Sequence, residues 1–349
     1  MVIDDTALTS SSAPEETSNL YLGETIYLVG DKVRLESGTT HTIYLSLQDA
    51  NTGNDPASSS EWWQNIGETH PTYSGSVAYS VGEVVIDLAT HHEWESLQDG
   101  NLANDPILPT SSTWWFDRGY NNRWTMFDAS ITSQTVQPEE MTVAIRTVGR
   151  NDSIALLNIE CSALRIVAED DVDGVVYDSG IISMTAGSGV TDWWKFFFEP
   201  IAFLTEYALV GAAGMPPYAN VSITVTMVMP GGTVKCGALV IGLKKELGAT
   251  QYGAQFGIHD YSVKTRDQFG NVSVVERGFN KFFDVQVWAE NSQINEIQRT
   301  MIQFKTVPVV WVGSEPYSAL LIYGFYEKFV GVIEYPAISI FNLRIEGLT

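Results

Sequence analysis

The chain has few cysteines, few basic side chains and few histidines. Its 349 residues include two cysteines, Cys161 and Cys236. They make no disulfide framework. Two separate buried thiols are the expectation, with a single bridge between them as the alternative. Basic residues number 19 against 42 acidic ones, a formal net charge of −23. That balance argues against nucleic acid and against anionic membrane surfaces as partners, since both require cationic patches. No apolar run is long enough to span a bilayer, so no membrane insertion is expected. The five histidines, His41, His70, His91, His92 and His259, show no His-x-x-x-His spacing, and the cysteines no Cys-x-x-Cys. Neither a metal nor another cofactor is therefore expected.

Catalytic signatures are missing too. There is no Gly-x-Ser-x-Gly elbow and no phosphate loop. Glycoside hydrolysis needs two positioned carboxylates, and no pair stands out among so many acids. No catalytic residue is assigned. The densest acidic run is Glu169-Asp-Asp-Val-Asp173-Gly174. The twelfth position from Glu169 is Gly180, where a calcium loop carries glutamate. It reads as a solvated hairpin tip, with a cation site as the alternative. Met1-Val-Ile-Asp-Asp is acidic where a secretory signal would be basic, so synthesis in the cytoplasm is expected, with any exit by a route such as lysis.

What the sequence does have is a repeat. Tyr27-Leu-Val-Gly30-Asp-Lys-Val33 returns as Tyr79-Ser-Val-Gly82-Glu-Val-Val85. Ser46-Leu-Gln-Asp-Ala-Asn51 returns as Ser96-Leu-Gln-Asp-Gly-Asn101, Asn54-Asp-Pro56 as Asn104-Asp-Pro106, and Trp62-Trp63 as Trp114-Trp115. Gly67 and Gly119 close the copies. The spacing is roughly 50 residues, which marks tandem modules. Val29, Val33 and Leu35, and in the second copy Val81, Val85 and Leu88, fit short strands. Asn-Asp-Pro and the serine-rich run are turn chemistry. A unit this small has little core and must be held by its aromatics. Adjacent residues of a strand face opposite ways, so one Trp of each pair is expected in the core and the other towards solvent.

The order Tyr, Gly-x-x-Val, an aromatic before Ser (Tyr44, Trp94), Asn-x-x-Asn-Asp-Pro and Trp-Trp resembles the small chitin-binding-type modules of chitinases. Tail proteins of bacteriophages carry similar tandem copies. The resemblance spans about residues 21–119. It implies that exposed aromatics stack on sugar rings, and by position the candidates are Tyr44, Trp62, Trp63, Trp94, Trp114 and Trp115. The chitinase catalytic strand Asp-x-x-Asp-x-Asp-x-Glu is absent.

The rest of the chain reads as β. Residues 1–20 are polar and turn-rich, an arm or linker. Residues 21–68 and 69–119 are the two modules. Residues 120–245 carry period-two strands such as Met141–Val148 and Val221–Val228, the latter stopped by Pro230-Gly-Gly. Asp173-Gly174 marks a hairpin. This region reads as a β-sandwich, jelly-roll-like. Residues 246–349 are a further β-rich domain or the continuation of the sandwich. One short helix is expected near 292–304, capped by Asn291 or Ser292, with Ile294, Ile297, Met301 and Ile302 on one face. Trp193-Trp194-Lys-Phe196-Phe-Phe198 reads as a buried strand pair or as an interface anchor made by Trp193, Trp194, Phe196 and Phe198.

The C-terminal texture, with Gly257-Ile-His-Asp-Tyr-Ser, Asp267-Gln-Phe-Gly-Asn-Val, Val275-Glu-Arg-Gly and Leu343-Arg-Ile-Glu-Gly-Leu, resembles tail-tip and baseplate proteins of tailed bacteriophages. Together the two resemblances imply a non-enzymatic virion protein, located at the phage tail tip. Its modules would bind host cell-surface polysaccharide. Its body would dock on other tail or baseplate proteins and on itself as a homo-oligomer, a trimer. A polysaccharide depolymerase or lysin with appended sugar-binding modules is the alternative.

Overall fold

The computed structural model describes residues 7–15, 18–38, 40–185, 193–198, 202–211, 214–266, 268–314, 317–333 and 335–348, without the side chains of Lys195, Phe196 and Ser318. The fold is mainly β. Leu8–Ser11 form β1. Asn19–Leu20 (β2), Lys32–Ser37 (β3), Thr40–Ser46 (β4) and Trp63–Thr69 (β5) make a four-stranded sheet in that order. In the second copy Ala78–Tyr79 (β6) pairs with Asn101–Leu102 (β9), and Val84–Asp87 (β7), His92–Ser96 (β8) and Trp115–Tyr120 (β10) form a three-stranded sheet. The β6–β9 pairing of Tyr79 with Asn101 has its counterpart in a bridge between Tyr27 and Asn51. Val33 and Val85 are fully buried, as their strand pattern requires. Val29 and Val81, expected in strands, lie outside them and are exposed, and Leu88 falls just past β7.

Both copies carry a bulge near their end. The register slips between Ile43 and Tyr44 opposite β5, and between Asp117 and Gly119 in β10. Gly67 and Gly119 sit there at φ +123° and +93°, a backbone that other residues rarely adopt. Each glycine N–H is caught by a side chain two residues back, Asn65 Oδ1 at 2.9 Å and Asp117 Oδ1 at 2.8 Å.

The body sheet follows. Its strands are Thr135–Arg146 (β11), Ser153–Glu160 (β12), Ala163–Asp170 (β13), Gly174–Asp178 (β14), Ile182–Ser183 (β15), Glu206–Leu209 (β16) and Ser222–Gly242 (β17). Together with β1 they make one eight-stranded sheet. The long β17 runs beside β11 from Ser222 to Cys236 and exchanges partner on its other edge, from β13 to β12. Alternating buried positions such as Ile223, Val225 and Met227 join Met141, Val143, Ile145, Ile154, Leu156, Leu164 and Ile166 in one core. Pro230-Gly-Gly does not stop this strand as expected. The extra residues bulge out opposite Glu139, between paired residues 228 and 233, and the pairing then resumes. A hairpin forms at this place, but its loop is residues 171–173 where a two-residue Asp173-Gly174 turn between Val172 and Val175 was expected: Gly174, at φ 73°, pairs with Asp170, whose Oδ2 accepts from Val172 N–H at 2.9 Å. Cys161 and Cys236 are free buried thiols. Burial pushes them up to about 11 and about 12.

Trp193–Phe198 form not a strand but a six-residue helix (α1), and Trp193, Trp194, Phe197 and Phe198 are exposed on it where a buried strand pair was expected. Leu8–Ser11, inside the stretch expected to be an arm or linker, likewise join the body sheet. β1 pairs antiparallel with β11, Ser11 opposite Val143.

The C-terminal sheet contains Ala249–Thr250 (β18), Gln255–Asp260 (β19), Phe279–Glu290 (β22), Val309–Val312 (β23), Leu321–Val332 (β24) and Ile338–Gly347 (β25); between β19 and β22 stand Val263–Arg266 (β20) and Val272–Val275 (β21), a separate two-stranded ribbon. Ile294–Gln303 (α2) packs Ile297 and Met301 on the sheet core with Phe283, Trp311, Phe341 and Ile345. The helix is where it was expected, but Ile302 points to solvent at 57% exposure. Asn291 does not cap it. Its amide donates to Tyr335 O and Pro336 O, both at 2.9 Å, tying the helix start to the loop before β25. Leu157 and Ala238 of the body meet Leu321 and Tyr323 in a smaller cluster, and Lys281 pairs with Glu206 across the same junction.

Candidate functional site

The repeated residues recur because they are wired alike. Ser46 Oγ donates to Gln48 O at 3.0 Å, and the Asn51 amide donates to Ser46 Oγ at 3.0 Å and to Trp62 O at 3.3 Å. Asn54 Nδ2 donates to Asn51 Oδ1 at 2.8 Å, and Gln48 Nε2 to Glu61 O at 2.9 Å. In the second copy Ser96, Gln98, Asn101, Asn104, Thr113 and Trp114 make the same bonds at 2.8–3.4 Å. Asn51 and Asn101 are buried, and their full bonding is what makes that burial affordable. A polar loop is thus wound around one asparagine in each module.

That loop seats a tryptophan. Trp63 Nε1–H donates to Asn54 O at 2.8 Å, and Trp115 Nε1–H to Asn104 O at 2.8 Å. Tyr27 meets Trp63 edge-on at 5.2 Å between ring centres, and Tyr79 meets Trp115 at 5.3 Å. The tyrosine hydroxyls accept from Leu22 N–H and Ser74 N–H. Trp63 and Trp115 are only 2% and 3% exposed. Their expected place among the sugar-binding residues is therefore corrected: with both faces packed and the N–H already bonded, they are the core of each module.

Around each core stand three half-buried aromatics: Tyr21, Tyr44 and Trp62 in the first module, Tyr73, Trp94 and Trp114 in the second. Trp62 and Trp114 are the less buried members of their pairs, because β5 and β10 begin one residue later and the chain reaches them from a turn closed by Trp62 N–H to Ser59 O and Trp114 N–H to Ser111 O. Tyr44 and Trp94 lie on the equivalent strands β4 and β8. Tyr21 and Tyr73 escaped sequence reasoning. Tyr21 lies 5.8 Å from Tyr27, stacked, and 5.9 Å from Trp63, edge-on. Tyr73 repeats this at 6.0 Å and 5.9 Å from Tyr79 and Trp115. Their signal was in the sequence, since each precedes the repeated tyrosine by the same interval.

A carboxylate accompanies each trio. Burial, then the charges of Tyr27 and Asp55, raises the Tyr21 phenol. Burial, then Asp55 and Glu68, raises Tyr44. Burial, then Asp105 and Tyr79, raises Tyr73. Asp55 therefore acts on two phenols of the first trio and Asp105 on one of the second. The phenols stay protonated at neutral pH as hydrogen-bond donors, and the aspartates are acceptors. Flat aromatic faces edged by donors and a carboxylate can hold a ring whose two sides are apolar and whose rim is hydroxylated.

The second module is held to the body through Glu15, which the sequence did not single out. Its carboxylate takes His91 Nδ1 at 2.8 Å, Asn121 Nδ2 at 2.7 Å and Arg123 Nη1 at 3.0 Å, while Arg123 Nη2 donates to Ser11 O at 2.9 Å. Burial opposes the charge of Glu15, but the bonds from His91, Asn121 and Arg123 and the Arg123 charge outweigh it and hold the carboxyl below the ordinary glutamate value. His91 stacks on Trp124 at 4.2 Å. Its sequence equivalent His41 is buried in β4, so the two histidines are placed differently.

The residues expected at an interface are on α1. Trp193, Trp194 and Phe198 are 78%, 71% and 66% exposed, and the Phe196 side chain lies outside the described residues. They are not brought together with the module aromatics in any ring contact among the described residues. A separate cleft of about 1600 Å³ lies where the body and C-terminal sheets meet, walled by Val240, Val287, Met301 and Trp311.

No protein-family model matches the chain, and no curated protein matches it.

Proposed function

We propose that the two modules are glycan-binding units and that the chain is a non-enzymatic attachment protein of a tailed bacteriophage. In this reading Tyr21, Tyr44 and Trp62, and Tyr73, Trp94 and Trp114, form two sugar platforms for a host cell-surface polysaccharide. The observation that carries it is the division of labour inside each module. Two equivalent buried scaffolds each present a trio of half-exposed aromatics beside an aspartate. A spacer would need the scaffold but not the trio. The β-rich body then supplies the docking surfaces to other tail or baseplate proteins and to further copies of the chain, a trimer. The test is binding of the full chain to purified host polysaccharide, compared with Trp62→Ala, Trp114→Ala and the double variant. Loss of binding with retained folding supports the reading. Unchanged binding by the double variant removes it, and release of reducing ends by the wild type would move the chain to the depolymerase class.

A further inference from the structure

Both platforms are built without a cation. Residues 21–119 hold 14 acidic side chains and three basic ones, Lys32, Arg34 and Arg118, a net charge of −11. The three cations are turned away from the aromatic trios. Lys32 and Arg34 flank the buried Val33 on β3, and neighbours in a strand face opposite ways. Val33 belongs to the cluster on which Tyr21, Tyr44 and Trp62 pack, so the two cations lie across the sheet from that trio. Arg34 is also paired there, Nε to Glu36 Oε1 at 3.0 Å. Arg118 reaches Glu95 at 3.9 Å, and Glu95 follows Trp94 on β8 and so faces the other way.

What each platform does have is a carboxylate with spare capacity. Asp55 follows Asn54, whose carbonyl holds the Trp63 indole, and Asp105 follows Asn104, whose carbonyl holds Trp115. The repeat therefore sets one aspartate beside the aromatic core of each module. After burial and, for Tyr21, the Tyr27 phenol, Asp55 helps to raise Tyr21 and Tyr44; after burial, Asp105 helps to raise Tyr73. Each carboxylate thus lies within electrostatic reach of its trio. Asp55 Oδ1 accepts from Ala57 N–H at 2.9 Å, and Asp105 Oδ1 from Ile107 N–H at 3.1 Å. Neither has an ion-pair partner among the described residues. Asparagine serves such a turn as well as aspartate does, so the turn alone does not call for the charge.

We propose that the two platforms select sugars carrying a protonated amine, the ammonium donating to Asp55 or Asp105 while the sugar ring lies on the aromatic trio, and that they reject anionic glycans. This rests on the glycan reading and narrows its ligand to an amino-sugar polymer. An acidic sugar needs a cation, and neither trio offers one. A neutral sugar leaves the carboxylate charge unmatched. A cationic sugar gains twice, from a charge-assisted bond to the carboxylate and from the attraction of a cation to aromatic faces. The acidic field of the modules also raises its local concentration.

The experiment is calorimetry of the full chain with three probes: a glucosamine hexamer with free amines, the same hexamer N-acetylated, and hexagalacturonate. Mildly acidic buffer keeps the amines protonated and the aspartates charged. Wild type is expected to prefer the free-amine hexamer over the N-acetylated one by about two- to fivefold, the range of an exposed ion pair, and not to bind hexagalacturonate. Salt should narrow the preference, since the Debye length falls from about 10 Å at 0.1 M to about 3 Å at 1 M. Asp55→Asn/Asp105→Asn keeps the turn acceptors and is expected to erase the preference with thermal unfolding unchanged. Glu276→Gln/Glu296→Gln removes the same charge from exposed residues outside the modules and is expected to keep it, which separates a local pair from attraction by the whole chain. A wild type without the preference, a preference that survives in the aspartate variant or vanishes equally in the glutamate variant, or binding of hexagalacturonate would each overturn the proposal. The glycan reading stands in those cases as long as Trp62→Ala/Trp114→Ala abolishes binding. A wild type that binds none of the three overturns the proposal too, and the host polysaccharide then decides the glycan reading by itself.

Discussion

Trp63 donates its indole N–H to the carbonyl of Asn54 at 2.8 Å, joining the aromatic core of the first module to its polar loop. The bond makes the two halves of the repeat interdependent. The loop is held only if the ring is in place, and the ring is saturated only if the loop is wound. The second module uses Trp115 and Asn104 in the same way.

Truncation should therefore separate the members of each tryptophan pair. Trp63→Ala is expected to destabilise its module by about 3–5 kcal/mol, the range for removing a large buried aromatic. Trp62→Ala is expected to cost far less, since its ring is half-exposed. Denaturant unfolding of both variants checks this, and equal losses would mean that Trp62 is no platform.

The buried asparagines give a second expectation. Asn51→Ala leaves the Ser46, Asn54 and Trp62 groups short of a partner inside the module. The expected loss is about 1–3 kcal/mol for buried groups left unsatisfied. Asn101→Ala should behave alike in the second module. Hydrogen exchange of the Trp63 and Trp115 indole protons reads the damage locally.

Glu15 sets a pH dependence of known sign. Its folded-state carboxyl lies below the ordinary value, because the bonds from His91, Asn121 and Arg123 outweigh burial. Its contribution is therefore complete above the unfolded-state glutamate pKa and is lost as pH falls through the lower folded value. Glu15→Gln is expected to cost about 1.5–3 kcal/mol near neutrality, the range for bonds to a charged group. Thermal unfolding across acid pH should show the gap between wild type and variant shrinking as pH falls.

Two platforms on one chain should act together. A polymer that reaches both is held by the second site at high effective concentration, so binding should be at least about tenfold tighter than in Trp62→Ala or Trp114→Ala alone. Calorimetry with the polymer and with a short oligosaccharide checks it, because the short ligand should show no such gain.

Much of the fold was legible because period-two burial leaves a mark. Val225, Met227, Met141 and Val143 alternate in the sequence and face one core in the structure. The modules were legible because their hydrogen-bonded scaffold needs particular side chains, so Ser46, Asn51, Asn54 and Trp63 had to recur. Other features leave no such trace. Pro230-Gly-Gly has the composition of a stop, and only the long partner β11 carries the strand past it. Trp193 and Trp194 are apolar enough for a core, yet hydrophobicity does not report that they lie on a short exposed helix. Glu15 is one acid among 42, and its meaning comes from Arg123 and Asn121, more than a hundred residues away. Tyr21 and Tyr73 lay in plain view but outside the motif that drew attention to the tryptophans.

The pairing of β1 with β11 has a mechanical consequence. The chain leaves the body sheet at the end of β1, builds both modules, and re-enters at the start of β11. Because the two strands are antiparallel, the exit and the re-entry open at the same end of the sheet. A pull on a module is then shared by two tethers that run along the strand direction. Force along a strand loads its cross-strand hydrogen bonds together, in shear, where a perpendicular pull would open them one at a time. Ser12, Glu15 and Arg123 brace the mouth of this double tether. A single cut inside either module would leave both fragments still held by the body.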